Sequence, residues 1–487
     1  MMTREFETVV GLEIHVELST ESKLFCACST AFGGRPNSHT CPVCTGMPGT
    51  LPVLNRRALE LAVAVGLALH CDIAERSVFD RKNYFYPDNP QNYQISQLYH
   101  PICREGYLDV MIDGEKKRFC LQEIHLEEDA GKLIHDESSG ETLIDYNRAG
   151  VPLIEIVTRP MFSCGPEVVA FLEELKDLIS YIGASDCRIQ EGSMRVDVNL
   201  SVRPVGSKQL GIRTEMKNLA SFHAICAAVE EESRRQITLL KQGETVRMET
   251  RRWDEGKNCS YPMRSKEEQR DYRYYPEPDI PCIEMSKEWV EDIRRSLPEF
   301  RRERASRIRK MYSLPELDVN LLTQHRELAD LFEQTVAFGG NPKKVSNWIM
   351  GELLRLMKEN NVPPRSIKLS ADQFFRLLSM LEDGKITQTT AKEIFGAMFR
   401  HFLDPEEFAR EHNLLVERDE ERLTETVRQV LEENSKSAAD YLSGKDKALG
   451  FLVGQTMKAM GGKADPNRVR EILKGLLEEV RIKQHFS

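Results

Sequence analysis

The clearest pattern in the chain is an alternation of apolar and polar residues at positions 9–18, which read V-V-G-L-E-I-H-V-E-L. A period-two pattern of this kind predicts a β-strand with one buried face. The other face carries Glu13, His15 and Glu17 in a row. Carboxylates this close repel each other unless a cation lies between them or water screens them. This strand face is therefore either an ordinary solvated face or one side of a metal site. Residues 9–18 considered by themselves favour the solvated face.

The first 295 residues are rich in strand-like segments and in turn dipeptides such as Asp113-Gly114. Two helices are predicted among them, at residues 55–70 with Asn55 as N-cap and at residues 166–181. Further strands are predicted at residues 118–121, 153–157 and 194–202. This mixture predicts one large α+β domain over residues 1–295.

From about residue 297 the pattern changes to long amphipathic helices with little glycine. The predicted helices are 298–311, 321–338, 342–357, 421–433, 448–460 and 466–484. A break near residue 412 divides them into a helical domain, 296–411, and a small tail domain, 412–487. The expected fold class is thus α+β: a large mixed domain with antiparallel strands, followed by an all-α helical domain and a small all-α tail.

Composition narrows the class of protein. The chain has 487 residues, 40% of them hydrophobic and 30% charged, which is typical of a soluble protein of about three domains. No secretory signal is visible at its start, and the most apolar stretch, residues 59–69, is too short to span a membrane. The cysteines outside residues 26–44 are scattered singly, which favours a reducing cytoplasm over a disulfide framework.

Charge is distributed unevenly near the end of the chain. Residues 441–487 carry nine basic and five acidic side chains, a net charge of +4, although the whole chain has a net charge of −10. The basic residues concentrated around the Gly461-Gly462 turn are Lys445, Lys447, Lys458, Lys463, Arg468 and Arg470. Two interpretations explain this basic segment equally well: it contacts a nucleic-acid backbone, or it is an ordinary solvated helix face.

Four cysteines give the most specific motif, with two close pairs separated by twelve residues: Cys26-x-Cys28 and Cys41-Pro-Val-Cys44. In a cytosolic chain this spacing predicts a tetrahedral Cys₄ zinc site. All four ligands come from the protein, so the site would be structural. Free or redox-active cysteines, or an iron–sulfur cluster, are the weaker alternatives.

Several polar residues fall within otherwise apolar strands. Glu155 lies inside V-P-L-I-E-I-V, where a lone carboxylate needs a partner. His125 and Glu127 share one face of a predicted strand, and Glu128 follows at its end. Together with Glu13 and His15, Glu128 and Glu155 predict a carboxylate-rich site with one imidazole. Oxygen ligands of this kind favour Mg²⁺ or Mn²⁺, which in proteins commonly holds nucleotide phosphates.

Two further strands present polar faces that could complete a pocket. Arg195 and Asp197 alternate with apolar residues in one strand, and Glu215 and Lys217 alternate in the next. Their cations could hold a phosphate or a carboxylate. The sequence contains no Walker A loop, so an ATP site would be of an unusual kind. A dense polar and aromatic run around Lys82, D-R-K-N-Y-F-Y-P-D, indicates a pocket lining or an interface.

These motifs, in this order, resemble the GatB/GatE family of tRNA-dependent amidotransferase subunits. The resemblance covers essentially the whole chain, and the chain lacks the large insertion of the archaeal E type, so the bacterial B type fits better. The matching runs are V-V-G-L-E-I-H-V-E-L, D-R-K-N-Y-F-Y-P-D, H-L-E-E-D-A-G-K, V-P-L-I-E-I-V, D-Y-R-Y-Y-P-E-P-D at 271–279 and G-F-L-V-G-Q-T-M-K at 450–458.

The resemblance implies a function. Such a protein uses ATP to phosphorylate the side-chain carboxylate on misacylated Glu-tRNA(Gln), Asp-tRNA(Asn) or both. Ammonia from a glutaminase (GatA) then displaces phosphate, and a small third protein (GatC) holds the other two together. The family fold is a cradle domain, a helical domain and a tail similar to YqeY proteins that binds tRNA. The alternative is a noncatalytic tRNA-binding scaffold in the same complex.

The resemblance also implies roles for individual residues. Lys82 matches the lysine of the family's ammonia tunnel, and the four cysteines match a zinc knuckle that only some members keep. Arg195, Asp197, Glu215 and Lys217 match the nucleotide-binding region loosely. The residues that match the Mg²⁺ site are Glu13, His15, Glu128 and Glu155, with Glu127 as an alternative to Glu128.

Overall fold

The computed structural model describes residues 5–136, 138–263, 272–416, 420–461 and 464–485. The chain divides into two compact units, Met1–Phe300 and Arg301–Ser487. Lys463, one of the basic residues of the tail, lies outside the described residues.

A large mixed sheet forms the centre of the first unit. Its strands are β1 (Phe6–Glu17), β2 (Asp72–Ile73), β6 (Cys103–Arg104), β7 (Tyr107–Ile112), β8 (Glu115–Glu128), β11 (Pro152–Thr158), β12 (Met194–Pro204), β13 (Thr214–Lys217), β14 (Glu249–Asp254) and β15 (Cys259–Pro262). Their spatial order is β15-β14-β13-β12-β1-β11-β8-β6-β2, and β7 pairs with β8 as a hairpin. Only the β13–β14 pair among these described strands is parallel, so the sheet is almost entirely antiparallel, as the sequence predicts.

Three small sheets surround the large one. They are formed by β3 (Arg76–Ser77) with β17 (Ile283–Glu284), by β4 (Asp80–Asn83) with β5 (Tyr93–Ser96) and β16 (Tyr275–Pro276), and by β9 (Lys132–Asp136) with β10 (Glu141–Asp145). The second of them carries Lys82.

Four helices belong to the first unit: α1 (Arg56–Ala68), α2 (Gly165–Ile182), α3 (Phe222–Lys241) and α4 (Lys287–Ser296). Helices α1, α2 and α3 contact β8, β7 and β12, respectively. Apolar side chains of the helices and the sheet form one core, which includes Leu12, Ile14 and Val16 of β1. Because side chains alternate along a strand, the polar side chains of β1 lie on the opposite face of the sheet.

The second unit is helical throughout its described residues. Its helices are α5 (Arg301–Tyr312), α6 (Glu316–Leu322), α7 (Arg326–Ala337), α8 (Pro342–Trp348), α9 (Leu354–Asn360), α10 (Ala371–Glu382), α11 (Gln388–Arg400), α12 (Pro405–Glu411), α13 (Glu420–Glu433), α14 (Ser435–Leu442), α15 (Lys447–Ala459) and α16 (Pro466–His485). A π-helical turn, Ile349–Leu353, joins α8 to α9. Separate hydrophobic clusters gather α5–α12 and α13–α16. The proposed division into helical and tail domains at residue 412 stays a prediction, as does the boundary at residue 295.

The α+β fold class is confirmed, and both predicted helices of the first part are present. Asn55 caps α1 by accepting hydrogen bonds from two backbone N–H groups, and Gly183 ends α2 with a φ of 77°. The sequence reading missed α3 and α4, and its predicted helix at residues 321–338 corresponds to α7 with only the last two residues of α6. Across the described helices, none combines the length and apolar character needed to cross a membrane.

Candidate active site

Polar side chains form a row across four neighbouring strands of the large sheet. His125 of β8 lies opposite Glu155 of β11, Glu155 lies opposite His15 of β1, and His15 lies opposite Arg195 of β12. Directly opposed residues of antiparallel strands point to the same face, so the strand register brings all four together. This face is opposite the apolar core.

The first cluster in this region combines His15, Glu127 and Glu155, whose possible ligand atoms all lie within 4.8 Å of one another. His15 Nε2 is 3.5 Å from Glu155 Oε2 and 3.9 Å from Glu127 Oε1. His125 Nε2 approaches the same Glu155 oxygen at 2.9 Å. Glu127 is only 3% exposed and accepts a hydrogen bond from Ser96 Oγ. The two carboxylates and the imidazole of His15 are therefore held within reach of one small cation, and His125 lies beside them.

Charge inside this cluster shifts the pKa values of its members in opposite directions. Burial alone would lower the pKa of His125, but the charges and hydrogen bonds of Glu155 and Glu127 together outweigh burial and raise that pKa to about 10. Burial alone would raise the pKa of Glu155, but the charges and hydrogen bonds of His125 and His15 together outweigh burial and hold the pKa well below its usual range. His125 and Glu155 therefore stabilise each other's charged form.

A second cluster lies beside the first, where the possible ligand oxygens of Glu13, Asp197 and Glu215 are within 4.8 Å of one another. Lys217 Nζ lies 2.7 Å from Asp197 Oδ2 and 2.9 Å from Glu215 Oε1. Glu13 accepts a hydrogen bond from Asn199 Nδ2 at 2.9 Å. Burial, together with the charge of the neighbouring carboxylates, raises the pKa of Glu13.

Lys82 faces the first cluster from the small sheet of β4, β5 and β16. Burial alone would lower the pKa of Lys82, but Glu127, Tyr274 and Glu155 together outweigh burial and raise that pKa. The ammonium lies 5.2 Å from the ring centre of Tyr272, and Tyr272 packs edge-on against Tyr84 and Tyr274. The cation therefore lies against one ring of a group of three packed tyrosines, beside the acidic cluster.

Glu128 is not part of either cluster. Its Oε1 accepts hydrogen bonds from the backbone N–H of Ile95 at 3.1 Å and from Gln91 Nε2 at 3.3 Å. Burial raises the pKa of Glu128 to about 8. Neighbouring residues of a strand point to opposite faces, so Glu127 and Glu128 cannot both join His15. Of the five residues suggested for Mg²⁺, the structure brings together His15, Glu127 and Glu155, and it places Glu13 in the second cluster.

Arg195 belongs to a further charged group at the end of β1. Arg195 Nη2 is 2.8 Å from Asp129 Oδ1, and Arg148 Nε is 3.3 Å from Asp129 Oδ2. The carboxyl group of Glu17 interacts with Asp129 and with both arginines. Burial and the charge of Asp129 raise the pKa of Glu17 to about 8.

The four knuckle cysteines, Cys26, Cys28, Cys41 and Cys44, converge as their spacing predicts. Their sulfur atoms all lie within 4.8 Å of one another, and those of Cys41 and Cys44 are 4.0 Å apart. Tetrahedral zinc with bonds of about 2.3 Å separates its sulfur ligands by roughly 3.8 Å, so the arrangement fits this metal. The backbone N–H of Cys41 points at Cys44 Sγ from 3.2 Å. A hydrogen bond with Cys26 lowers the pKa of Cys44 to about 4.

The knuckle is connected to the turn that precedes strand β11. Asn37 Nδ2 donates to the carbonyl of Ile144, and Asn147 Nδ2 donates to the carbonyl of Arg35 at 2.8 Å. Lys23, fully buried, donates to the carbonyl of Tyr146 at 3.1 Å and lies 3.6 Å from Cys44 Sγ. The segment that carries the four cysteines thus supports the chain that leads into Glu155.

Sequence reasoning placed His125 on the face of Glu127 but did not include it in the site. The signal was available, because His125 and Glu127 are two residues apart on one strand. Arg148 and Asp129 carried no such signal, since both lie in irregular segments whose approach depends on the tertiary fold.

Comparison with known proteins gives a consistent result over nearly the whole chain. The family described as the GatB/GatE catalytic domain matches residues 8–291, and the GatB domain matches residues 330–477. A protein of Agathobacter rectalis, named as the B subunit of aspartyl/glutamyl-tRNA(Asn/Gln) amidotransferase, is 54% identical over 97% of this chain and 100% of its own length. Proteins with the same name from Lachnoclostridium phytofermentans and Thermoanaerobacter pseudethanolicus are 52% and 50% identical over 97% and 96% of this chain and 99% of their own lengths.

Proposed function

The chain belongs to the GatB/GatE family, and on that premise we propose that it is the B subunit of an aspartyl/glutamyl-tRNA amidotransferase. Its substrate would be misacylated Glu-tRNA(Gln), Asp-tRNA(Asn) or both. Its partners would be a glutaminase (GatA) and a small third protein (GatC) in a heterotrimer. The reaction belongs to the translation machinery, and the proposed location is the cytoplasm.

The proposed reaction has two balanced steps. An oxygen of the tRNA-bound side-chain carboxylate attacks the γ-phosphorus of ATP, and the bond from that phosphorus to ADP breaks. The nitrogen of ammonia then attacks the acyl carbon, the C–O bond to phosphate breaks, and the nitrogen loses a proton. The first step is needed because oxide is a poor leaving group and phosphate is a good one. Positioning and charge stabilisation supply most of the catalysis in such transfers.

The observation that carries the proposal is the pair of acidic clusters on one sheet face, His15–Glu127–Glu155 and Glu13–Asp197–Glu215. Their donor atoms are mainly carboxylate oxygens, which fit Mg²⁺, and His15 adds one nitrogen. Bound Mg²⁺ would neutralise negative charge on the phosphates. Before a cation binds, His125 and Lys217 balance the carboxylates and keep them in place.

Other residues take roles around these clusters. Arg195 and Lys217 supply cations for the nucleotide phosphates, and Lys82 marks the side on which ammonia enters. The Cys₄ knuckle would hold a structural zinc ion, since all four positions are filled by protein sulfur. The basic tail would bind the tRNA backbone.

A matched pair of variants tests the proposed site. In the complex reconstituted with GatA and GatC, Glu127→Gln should reduce phosphoryl transfer from ATP to the charged tRNA by at least about 100-fold, because it removes a ligand and a charge. Glu128→Gln changes the neighbouring carboxylate in the same way but outside both clusters, so it should retain most of that transfer. Near-normal transfer in Glu127→Gln would reject the site and favour the noncatalytic scaffold.

A further inference from the structure

Two arginines converge on one buried carboxylate at the edge of the first cluster. Asp129 is 5% exposed and lies 2.8 Å from Arg195 Nη2 and 3.3 Å from Arg148 Nε. A buried carboxylate with two guanidinium partners fixes the orientation of both side chains. Arg195 comes from strand β12 and Arg148 from the turn before β11, so Asp129 joins two separate parts of the fold.

Both arginines have more N–H donors than their contacts with Asp129 use. Within the part of the chain that the structure describes, Arg195 donates a hydrogen bond only through Nη2. Arg148 uses Nε for the carbonyl of Ala130 and Nη2 for the carbonyl of Gly131. Each guanidinium carries five N–H donors, so donors remain on both. Their side chains are 34% and 32% exposed, and a ligand from solvent can therefore reach them.

The position of Arg148 and Arg195 beside the first cluster indicates which chemical group they could bind. Arg195 lies directly opposite His15 in the β1–β12 register, and His15 belongs to the carboxylate cluster proposed to hold Mg²⁺. A group bound between cluster and arginines would meet a divalent cation on one side and guanidinium forks on the other. A phosphoryl group suits both, because its oxygens accept hydrogen bonds and coordinate hard cations.

We propose that Arg148 acts with Arg195 as a clamp on the phosphoryl group that is transferred from ATP, and that Asp129 is the positioning residue that holds the clamp. The proposal rests on the phosphorylating function proposed above and adds Arg148 to its site. Arg148 binds the phosphoryl oxygens directly, whereas Asp129 acts only through the two arginines.

The experiment measures nucleotide binding without turnover. The reconstituted complex is titrated with AMP-PNP, ADP and inorganic phosphate in the presence of Mg²⁺, for the wild type and for Arg148→Gln. Loss of hydrogen bonds to a charged group should raise the Kd of AMP-PNP about 10-fold or more. The Kd of ADP should change less, because ADP lacks the transferred group. Arg159→Gln, which removes an exposed arginine paired with Glu105, is the control and should bind all three ligands as the wild type does.

A second variant, Arg148→Lys, separates weaker binding from a folding defect, because lysine keeps the positive charge but lacks the planar guanidinium group. It should fold like the wild type and still bind AMP-PNP more weakly. Unchanged AMP-PNP binding in both Arg148 variants would overturn the clamp, and equal weakening for ADP and AMP-PNP would overturn its assignment to the transferred group. A wild-type complex that binds no nucleotide would instead overturn the proposed function itself.

Discussion

Removal of the proposed zinc ion from the Cys₄ knuckle is expected to loosen residues 28–41 without unfolding the first unit. Between residues 26 and 50 only Cys44 is buried, so the segment has almost no apolar core of its own. Treating the metal as a cross-link between Cys28 and Cys41 gives about 3 kcal/mol for closing a loop of roughly 14 residues. Without it, the opening equilibrium of the segment should rise about 100-fold.

Amide hydrogen exchange measures this opening directly. The N–H groups of Asn37 and His39 are hydrogen-bonded to Asp145 and Asn147, so their exchange reports on the contact between the knuckle and the turn before β11. Chelation should speed exchange of peptides covering residues 28–41 and leave those from helix α2 unchanged. Equal exchange with and without chelator, in protein shown to contain zinc, would refute the reasoning. Faster exchange in α2 as well would show that the metal supports the whole unit.

Three further predictions concern charged residues. Lys217→Met removes the ammonium group that neutralises the carboxylates of the second cluster, Glu13, Asp197 and Glu215, so the Tm of the variant should fall. Mg²⁺ should raise the Tm of the variant by more than it raises the Tm of the wild type, and equal increases would contradict this prediction. Lys23→Met removes the buried ammonium group beside Cys44, so a colorimetric chelator should extract zinc from this variant faster than from the control Lys208→Met, which changes an exposed lysine. Equal extraction rates would show that Lys23 does not stabilise the metal site. Deletion of residues 412–487 should weaken tRNA binding in filter assays and reduce the dependence of that binding on salt concentration. Glutamine hydrolysis by GatA should be unaffected. Unchanged tRNA affinity would show that the tail does not bind tRNA.

The strands around the site could be predicted because their patterns are local. In β1 and β12 every second residue is apolar, so the sequence alone assigns Glu13, His15, Arg195 and Asp197 to polar faces. The convergence of the cysteines was equally predictable, because two close pairs of cysteines leave few other arrangements.

The choice between Glu127 and Glu128 could also have been made from the strand pattern. Ile124 and Leu126 are apolar, so alternation puts Glu127 on the polar face with His125 and Glu128 on the opposite face. The resemblance to the family left Glu127 as an alternative to Glu128, and the observed geometry favours Glu127.

Helix α3 was missed for a different reason. Its buried face includes Glu232 and Gln236, both fully buried, where a typical amphipathic helix has apolar residues. Glu232 pairs with Arg235, and Gln236 donates to Thr214 Oγ1. Tertiary hydrogen bonds satisfy these polar groups. Such hydrogen bonds cannot be predicted from the local pattern of apolar and polar residues.

The central claim is that the acidic sheet face activates a tRNA-bound carboxylate by phosphorylation, and trapping the acyl phosphate tests it most directly. The complex is given ATP, Mg²⁺ and misacylated tRNA without glutamine, and hydroxylamine is added to convert any acyl phosphate to a hydroxamate. The wild type should form hydroxamate on the tRNA in step with ADP release, and Glu155→Gln should form at most about 1% as much. No hydroxamate from the wild type, or an equal yield from Glu155→Gln, would contradict the account.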